Sequence, residues 1–307
     1  MSPTTRSSSG HKLGQIVGDW FEEDVAIYLL SQVAKELNLF LDNRFRDRSC
    51  RGNKILWKDL DGNRVDYDFV LELNGSDEKQ GIPVAFFETF WRRGARHSKD
   101  KARDDSGKLM PMRATYPTAR VLGILAAGDF TQPAQELVQS RGIDLFYIPK
   151  NHICSAWLKS GIEIDYPDTA SEQEKNRITN KAISLLTSEL RKKLFKSLVE
   201  TVGKPVLDSY VKRIIAGVAA IPIEFRIANV LLGDPVIFKN HKDAAIYLSS
   251  TTKQIDTASM ARRLRYEAIY SDGSIFQRDD LNIKDALKLH EAVGLVATHF
   301  TEHHAKK

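Results

Sequence analysis

The chain has little cysteine: two residues, Cys50 and Cys154, far apart and in no C-x-x-C pair. That excludes a disulfide framework and a cysteine-built zinc site, and it points to a reducing compartment. Long hydrophobic runs are also lacking. The longest in the second half, residues 214–223, falls short of the roughly 20 residues that span a bilayer, and Pro222 interrupts it. Residues 1–12 are rich in Ser and Thr and carry no apolar core, which excludes a signal peptide and predicts a disordered tail. A soluble, cytoplasmic protein is expected. Compositional bias is missing as well: 42% hydrophobic and 28% charged residues are near globular averages, so disordered and fibrous classes are excluded.

At 307 residues the chain exceeds one typical domain. Its formal net charge of +5 is modest but unevenly spread. Residues 1–170 hold 23 Lys and Arg against 24 Asp and Glu, whereas residues 171–307 hold 22 against 16. A basic second half suits an anionic partner.

Hydrophobic periodicity predicts a helix over residues 13–41, with Val17, Phe21, Val25, Leu29 and Val33 on one stripe. Residues 54–59 and 65–73 read as strands joined by an Asp61-Gly62 turn, and residues 82–90 as a third strand. A helix over 96–110, a buried strand over 120–127, a helix over 133–140 and a strand over 143–148 follow. This order predicts an α/β fold with a mixed β-sheet flanked by helices, over residues 13–165. Residues 166–307 read as a second, mainly helical domain for DNA binding or dimerisation. Helices are expected there over 171–202, 204–221, 236–250, 256–270 and 282–301.

Two of these strands carry carboxylates, which strands disfavour. The first is V-D-Y-D-F-V-L-E-L, with Asp66, Asp68 and Glu72; the second is I-P-V-A-F-F-E-T-F, with Glu88. If the strands pair, Asp68 and Glu88 come together, and two carboxylates in contact repel unless a cation sits between them. Hard oxygen donors select Mg2+, with Mn2+ as a substitute. Asp66 and Glu72 are expected to face solvent. Directly after Glu88 comes W-R-R-G-A-R-H-S-K-D-K-A-R, the densest basic segment of the chain. Its Arg92, Arg93, Arg96, His97 and Arg103 are candidates for phosphate contact. Farther on, Arg262, Arg263 and Arg265 are candidates for DNA contact from a helix over residues 257–266.

The element order, with Asp68 on one strand and Glu88 on the next, resembles the PD-(D/E)XK nuclease superfamily, which includes the type II restriction endonucleases. The resemblance covers about the first 150 residues and implies an αβββαβ core and magnesium-dependent cleavage of double-stranded DNA. It maps Asp68 and Glu88 onto the metal-holding acids, and Glu22, in F-E-E-D-V-A, onto the acid of the first helix. The chain departs from the pattern at one place: Phe90 stands where the superfamily has lysine. Lys99 or Lys101 on the following helix is the expected replacement. The restriction reading implies a homodimer on palindromic sites and a methyltransferase acting on the same sequence. The alternatives are a non-catalytic DNA-binding protein on the same scaffold and a nuclease specific for junctions or flaps.

Overall fold

The computed structural model describes residues 9–230, 234–253 and 263–305. The chain opens with helix α1 (Ser9–Trp20), a π-helical turn (Phe21–Ala26) and helix α2 (Ile27–Leu37). Ser9–Lys12, expected in a disordered tail, already belong to α1. The first helix ends earlier than its periodicity suggests. Asn38 adopts the left-handed conformation (φ 51°) and caps α2. The next residues form a short strand, β1 (Phe40–Asn43).

A hairpin follows, of β2 (Ile55–Lys58) and β3 (Arg64–Tyr67), then β4 (Phe69–Leu73), β5 (Ile82–Arg92), α3 (Ser98–Thr115), β6 (Val121–Gly128), α4 (Gln132–Ser140) and β7 (Asp144–Pro149). The main sheet has the order β1-β4-β5-β6-β7. Its pairs are antiparallel from β1 to β5 and parallel from β5 to β7. The fold is therefore mixed α/β with a mixed sheet flanked by helices. The β2–β3 hairpin stands outside this sheet as a two-stranded ribbon.

Alternation along the strands sends Phe69, Leu71, Ala85 and Phe87 to one face of the sheet. Val70, Phe86, Phe90, Leu122 and Ile124 go to the other, where α3, α4 and the hairpin pack. Gly123 lies directly beside Phe87, and a Cβ there would overlap the ring.

The first face is covered by α1, α2, α5 (Lys150–Lys159), α6 (Glu172–Leu185), α7 (Ser188–Val202) and α8 (Lys204–Val218). Ile178, Leu194, Leu198, Leu207 and Ile214 share one apolar cluster with Trp20, Phe87 and Trp157. Packing thus does not follow the division expected at residue 166: these helices complete the first core. What lies beyond adds to its helices a sheet not among the expected elements. Strands β8 (Pro222–Asn229), β9 (Val236–Phe238), β10 (Leu264–Tyr270) and β11 (Ile275–Leu281) make an antiparallel sheet of order β11-β10-β8-β9. Helices α9 (His241–Lys253) and α10 (Ile283–Ala305) pack with it around a separate cluster. The physical signal is a period of two: Leu264, Tyr266, Ala268 and Tyr270 are buried between more exposed neighbours. Among the described residues no helix is long and apolar enough to cross a membrane.

One buried ion cluster pins β1 to the main sheet. Arg48, fully enclosed, lies 2.6 Å from Asp42 and 2.7 Å from Glu72. Gly81 N–H donates to Glu72 at 2.6 Å. Glu72, expected to face solvent, is instead a fully buried structural acid.

Candidate active site

The apolar run of residues 65–73 is not one strand. It breaks at Asp68, which separates β3 in the hairpin from β4 in the sheet. The Asp68 carboxylate supplies the reason. Its Oδ2 accepts from Thr89 N–H at 2.7 Å and Thr89 Oγ1 at 3.0 Å, so a side chain takes a strand donor on β5. The β4–β5 register pairs Phe69 with Phe87 and Val70 with Phe86. Continued by one residue, it sets Asp68 opposite Glu88, and cross-strand neighbours lie about 5 Å apart at Cβ.

Glu88 is 2% exposed. Its Oε2 accepts from Lys108 Nζ at 2.9 Å, while Oε1 is buried with no hydrogen-bond partner. Burial, then the negative charge of Asp68, pushes the Glu88 carboxyl up to about 8, against the pull of Lys108. Burial alone would lower the Lys108 ammonium, but attraction to Glu88, Asp105 and Asp68 outweighs it and raises the group. A third acid, Asp105, is buried on α3 and accepts from Lys101 at 2.5 Å; burial raises its carboxyl too. Lys101, Asp105 and Lys108 are spaced i, i+4, i+7, so they share one face of α3.

The π-helical turn brings in the fourth acid. Such turns widen a helix locally and recur at functional sites. Glu22 is buried there and accepts from Arg44 Nε at 2.7 Å. Burial is the main force that lifts its carboxyl to about 7; the Arg44 hydrogen bond opposes it and the charge of Asp68 adds to it. Asp68 is thus felt by Glu22, Glu88, Asp105 and Lys108 alike and sits at the electrostatic centre of the group.

The donor set suits a hard divalent cation. Glu88 Oε1 is an orphaned buried oxygen, and leaving a buried acceptor unsatisfied costs about 1–3 kcal/mol. Asp68 Oδ1 takes no hydrogen bond from the described residues, beside an Oδ2 already held by Thr89. Among the described residues no three His, Cys, Asp or Glu side chains converge as metal ligands. Two carboxylates are what a hydrated Mg2+ takes from a protein that leaves its other positions to water and phosphate.

Of the residues singled out from sequence, Asp68, Glu88, Glu22 and Lys101 come together. Lys99 does not: it is exposed on the first turn of α3 and forms no ion pair with the described residues. Lys108, which sequence reasoning missed, is the cation on Glu88. Arg92 shares the Glu88 face of β5 by alternation and is half-buried. Arg93 turns away: it donates to Tyr166 O at 2.9 Å, pairs with Asp168 at 2.5 Å and lies 4.2 Å over the Tyr166 ring. Its guanidinium ties β5 to the segment before α6 and is not available to phosphate. Arg96 is exposed. His97, left-handed at φ 64°, precedes α3 with Nδ1 at 3.0 Å from Asp100, and Arg103 lies 3.3 Å from the same acid.

The recognition helix expected over residues 257–266 is not borne out where the chain is described: residues 264–270 are strand β10. Arg263 and Arg265 there pair with Asp280 at 3.2 Å and Asp279 at 2.6 Å, and Arg262 lies outside the described residues. Compared with known proteins, the chain matches no family model, no curated protein and no solved structure.

Proposed function

We propose that the protein is a magnesium-dependent endonuclease that hydrolyses phosphodiester bonds of double-stranded DNA, built on a restriction endonuclease-like core. The observation that carries this reading is Glu88: an enclosed carboxyl with one oxygen on Lys108, the other orphaned, and Asp68 opposite it. Asp68 and Glu88 would hold the metal, with Mn2+ as a substitute for Mg2+. A bound ion of this kind polarises the scissile phosphate and lowers the pKa of a coordinated water. Thr89 fixes the rotamer of Asp68 through two hydrogen bonds. Lys108 reaches Glu88 from α3 and takes the role of the lysine missing at position 90. Its ammonium orients the attacking water and offsets charge gathering on the phosphate. Asp105, bound to Lys101, keeps that second cation beside the site. Glu22 and Arg44 close the side formed by the π-helical turn.

Lys108 supplies beside Glu88 the cation that position 90 lacks, and this favours the enzyme over a non-catalytic binding protein. A site-specific restriction activity entails two copies of the chain on a palindromic site and a methyltransferase that protects the same sequence. The test is digestion of long genomic duplexes with Mg2+. Discrete, reproducible fragments are expected. A smear or cutting confined to junctions or flaps would set aside the site-specific form, and intact DNA under every metal condition, with binding retained, would sink the enzyme reading.

A further inference from the structure

A groove lies at the β2–β3 hairpin, away from the carboxylate cluster. It measures about 390 Å3 and is lined by Arg48, Arg51, Lys54, Lys58, Arg64 and Trp57, among others, with no carboxylate in its wall. Arg48 and Arg51 are neutralised from behind by Asp42 and Glu72. Lys54 lies 3.8 Å from Asp66, a loose and exposed pairing. Lys58 and Arg64 are both exposed and form no ion pair among the described residues. They are also direct cross-strand partners in the hairpin. Like charges placed opposite each other destabilise a strand pair. Two unpaired cations held face to face over an acid-free groove suit an anion that bridges them.

A second observation comes from the groove wall. Trp57 is 5% exposed, and its indole Nε1 is buried with no hydrogen-bond partner. The ring is wedged edge-on against Phe86 and Tyr116, which holds it rigidly between the hairpin and the sheet.

Register ties this groove to the carboxylates. The hairpin pairs Ile55 with Tyr67, Leu56 with Asp66 and Lys58 with Arg64. The ladder ends at Ile55 and Tyr67, so Lys54 and Asp68 flank its open end. By alternation, Lys54, Lys58 and Arg64 belong to one face of the ribbon, opposite the buried Ile55, Trp57 and Tyr67; Asp66, the partner of Lys54, shares that face. From Asp68 to Arg64 the strand runs four residues, about 13 Å at roughly 3.3 Å each. That is about four base steps of a duplex at roughly 3.4 Å per step.

We infer that the Lys54–Lys58–Arg64 track is a second phosphate-binding surface, which takes the DNA backbone about four nucleotides from the bond held at Asp68 and Glu88. The inference rests on the nuclease reading for its substrate, and it assigns the hairpin, not the basic segment after Glu88, as the flank clamp. Lys58 and Arg64 form a pair of phosphate contacts, and Lys54 bridges from them to the cleavage site.

The test is equilibrium binding of a defined duplex to the full chain across a salt series, with Ca2+ in place of Mg2+ so that DNA stays intact. The double variant Lys58→Gln/Arg64→Gln is compared with wild type. Each phosphate contact contributes about 0.9 to the slope of log affinity against log salt, so the slope should fall by about 2. Unchanged thermal unfolding and unchanged divalent-ion binding by the variant confirm that fold and carboxylate site are intact. A slope equal to that of wild type overturns the inference and leaves the nuclease reading standing. Wild type without salt-dependent DNA affinity overturns both. An unchanged slope together with groove-dependent binding of inorganic phosphate or a mononucleotide assigns the groove to a small anion, and also overturns it.

Discussion

Replacing Glu88 by Gln fixes the residue in its neutral form, and the consequence for stability is calculable. The folded carboxyl is pushed from 4.5 up to about 8. At low pH both folded and unfolded chains hold the proton, and there is no cost. As pH rises, the unfolded chain ionises first, so folding must keep a proton or bury a charge. The cost grows through the window between the two values and levels off above the upper one. One pKa unit is worth about 1.4 kcal/mol, so the cost from Glu88 is about 1 kcal/mol at pH 5 and about 4 kcal/mol at pH 8. Gln does not titrate, and its amide can give an N–H where Oε1 is now orphaned. In metal-free buffer the stability of the variant relative to wild type should therefore rise by about 3 kcal/mol from pH 5 to pH 8. Urea unfolding at the two pH values, in the presence of chelator, measures it. Glu22 and every other titrating group is common to both proteins and largely cancels. A gap that stays constant between pH 5 and pH 8 would refute the raised carboxyl. Adding Mg2+ at pH 8 should stabilise wild type and leave the variant unmoved, because only an ionised Glu88 rewards the ion.

Other outcomes follow from the same geometry. Lys108→Met should cut the rate of DNA cleavage by about a hundredfold or more with the bound metal retained, as read by single-turnover kinetics, whereas Lys99→Ala should leave the rate unchanged. Arg48→Met leaves Asp42 and Glu72 enclosed without their shared cation and should cost about 3–5 kcal/mol in urea unfolding, with no shift in metal affinity. Gly123→Ala should cost about 1–3 kcal/mol, because the added methyl meets the Phe87 ring.

That Asp68 and Glu88 face each other was legible because strand alternation and register need only the sequence of two neighbouring runs. The break at Asp68 was not, since it depends on Thr89 giving its N–H to a side chain instead of a ladder partner. Lys108 escaped for a different reason. Helix α3 carries charges on every face, so its buried stripe is weakly marked, yet the spacing of Lys101, Asp105 and Lys108 along the stripe of Ala102, Leu109 and Met112 was there to project. Strand β1 is only four residues long, and its Asp42 is buried by an arginine outside the strand, a pairing no local pattern announces. The C-terminal sheet was hidden by a helix-like run of apolar and basic residues before Leu264, although the alternation from Leu264 to Tyr270 was readable. Glu72 looked like a solvated strand acid because its partner, Arg48, lies in what reads as a basic connection.

Metal binding tests the central claim without any need to know a recognition sequence. Mn2+ binding followed by electron paramagnetic resonance at pH 7, with proton release read in parallel, should show binding at Asp68 and Glu88 accompanied by the loss of about one proton, the one Glu88 holds when no ion is bound. Asp68→Asn and Glu88→Gln should each abolish both signals. Binding that survives either substitution, or an ion taken up with no proton released, would contradict the site.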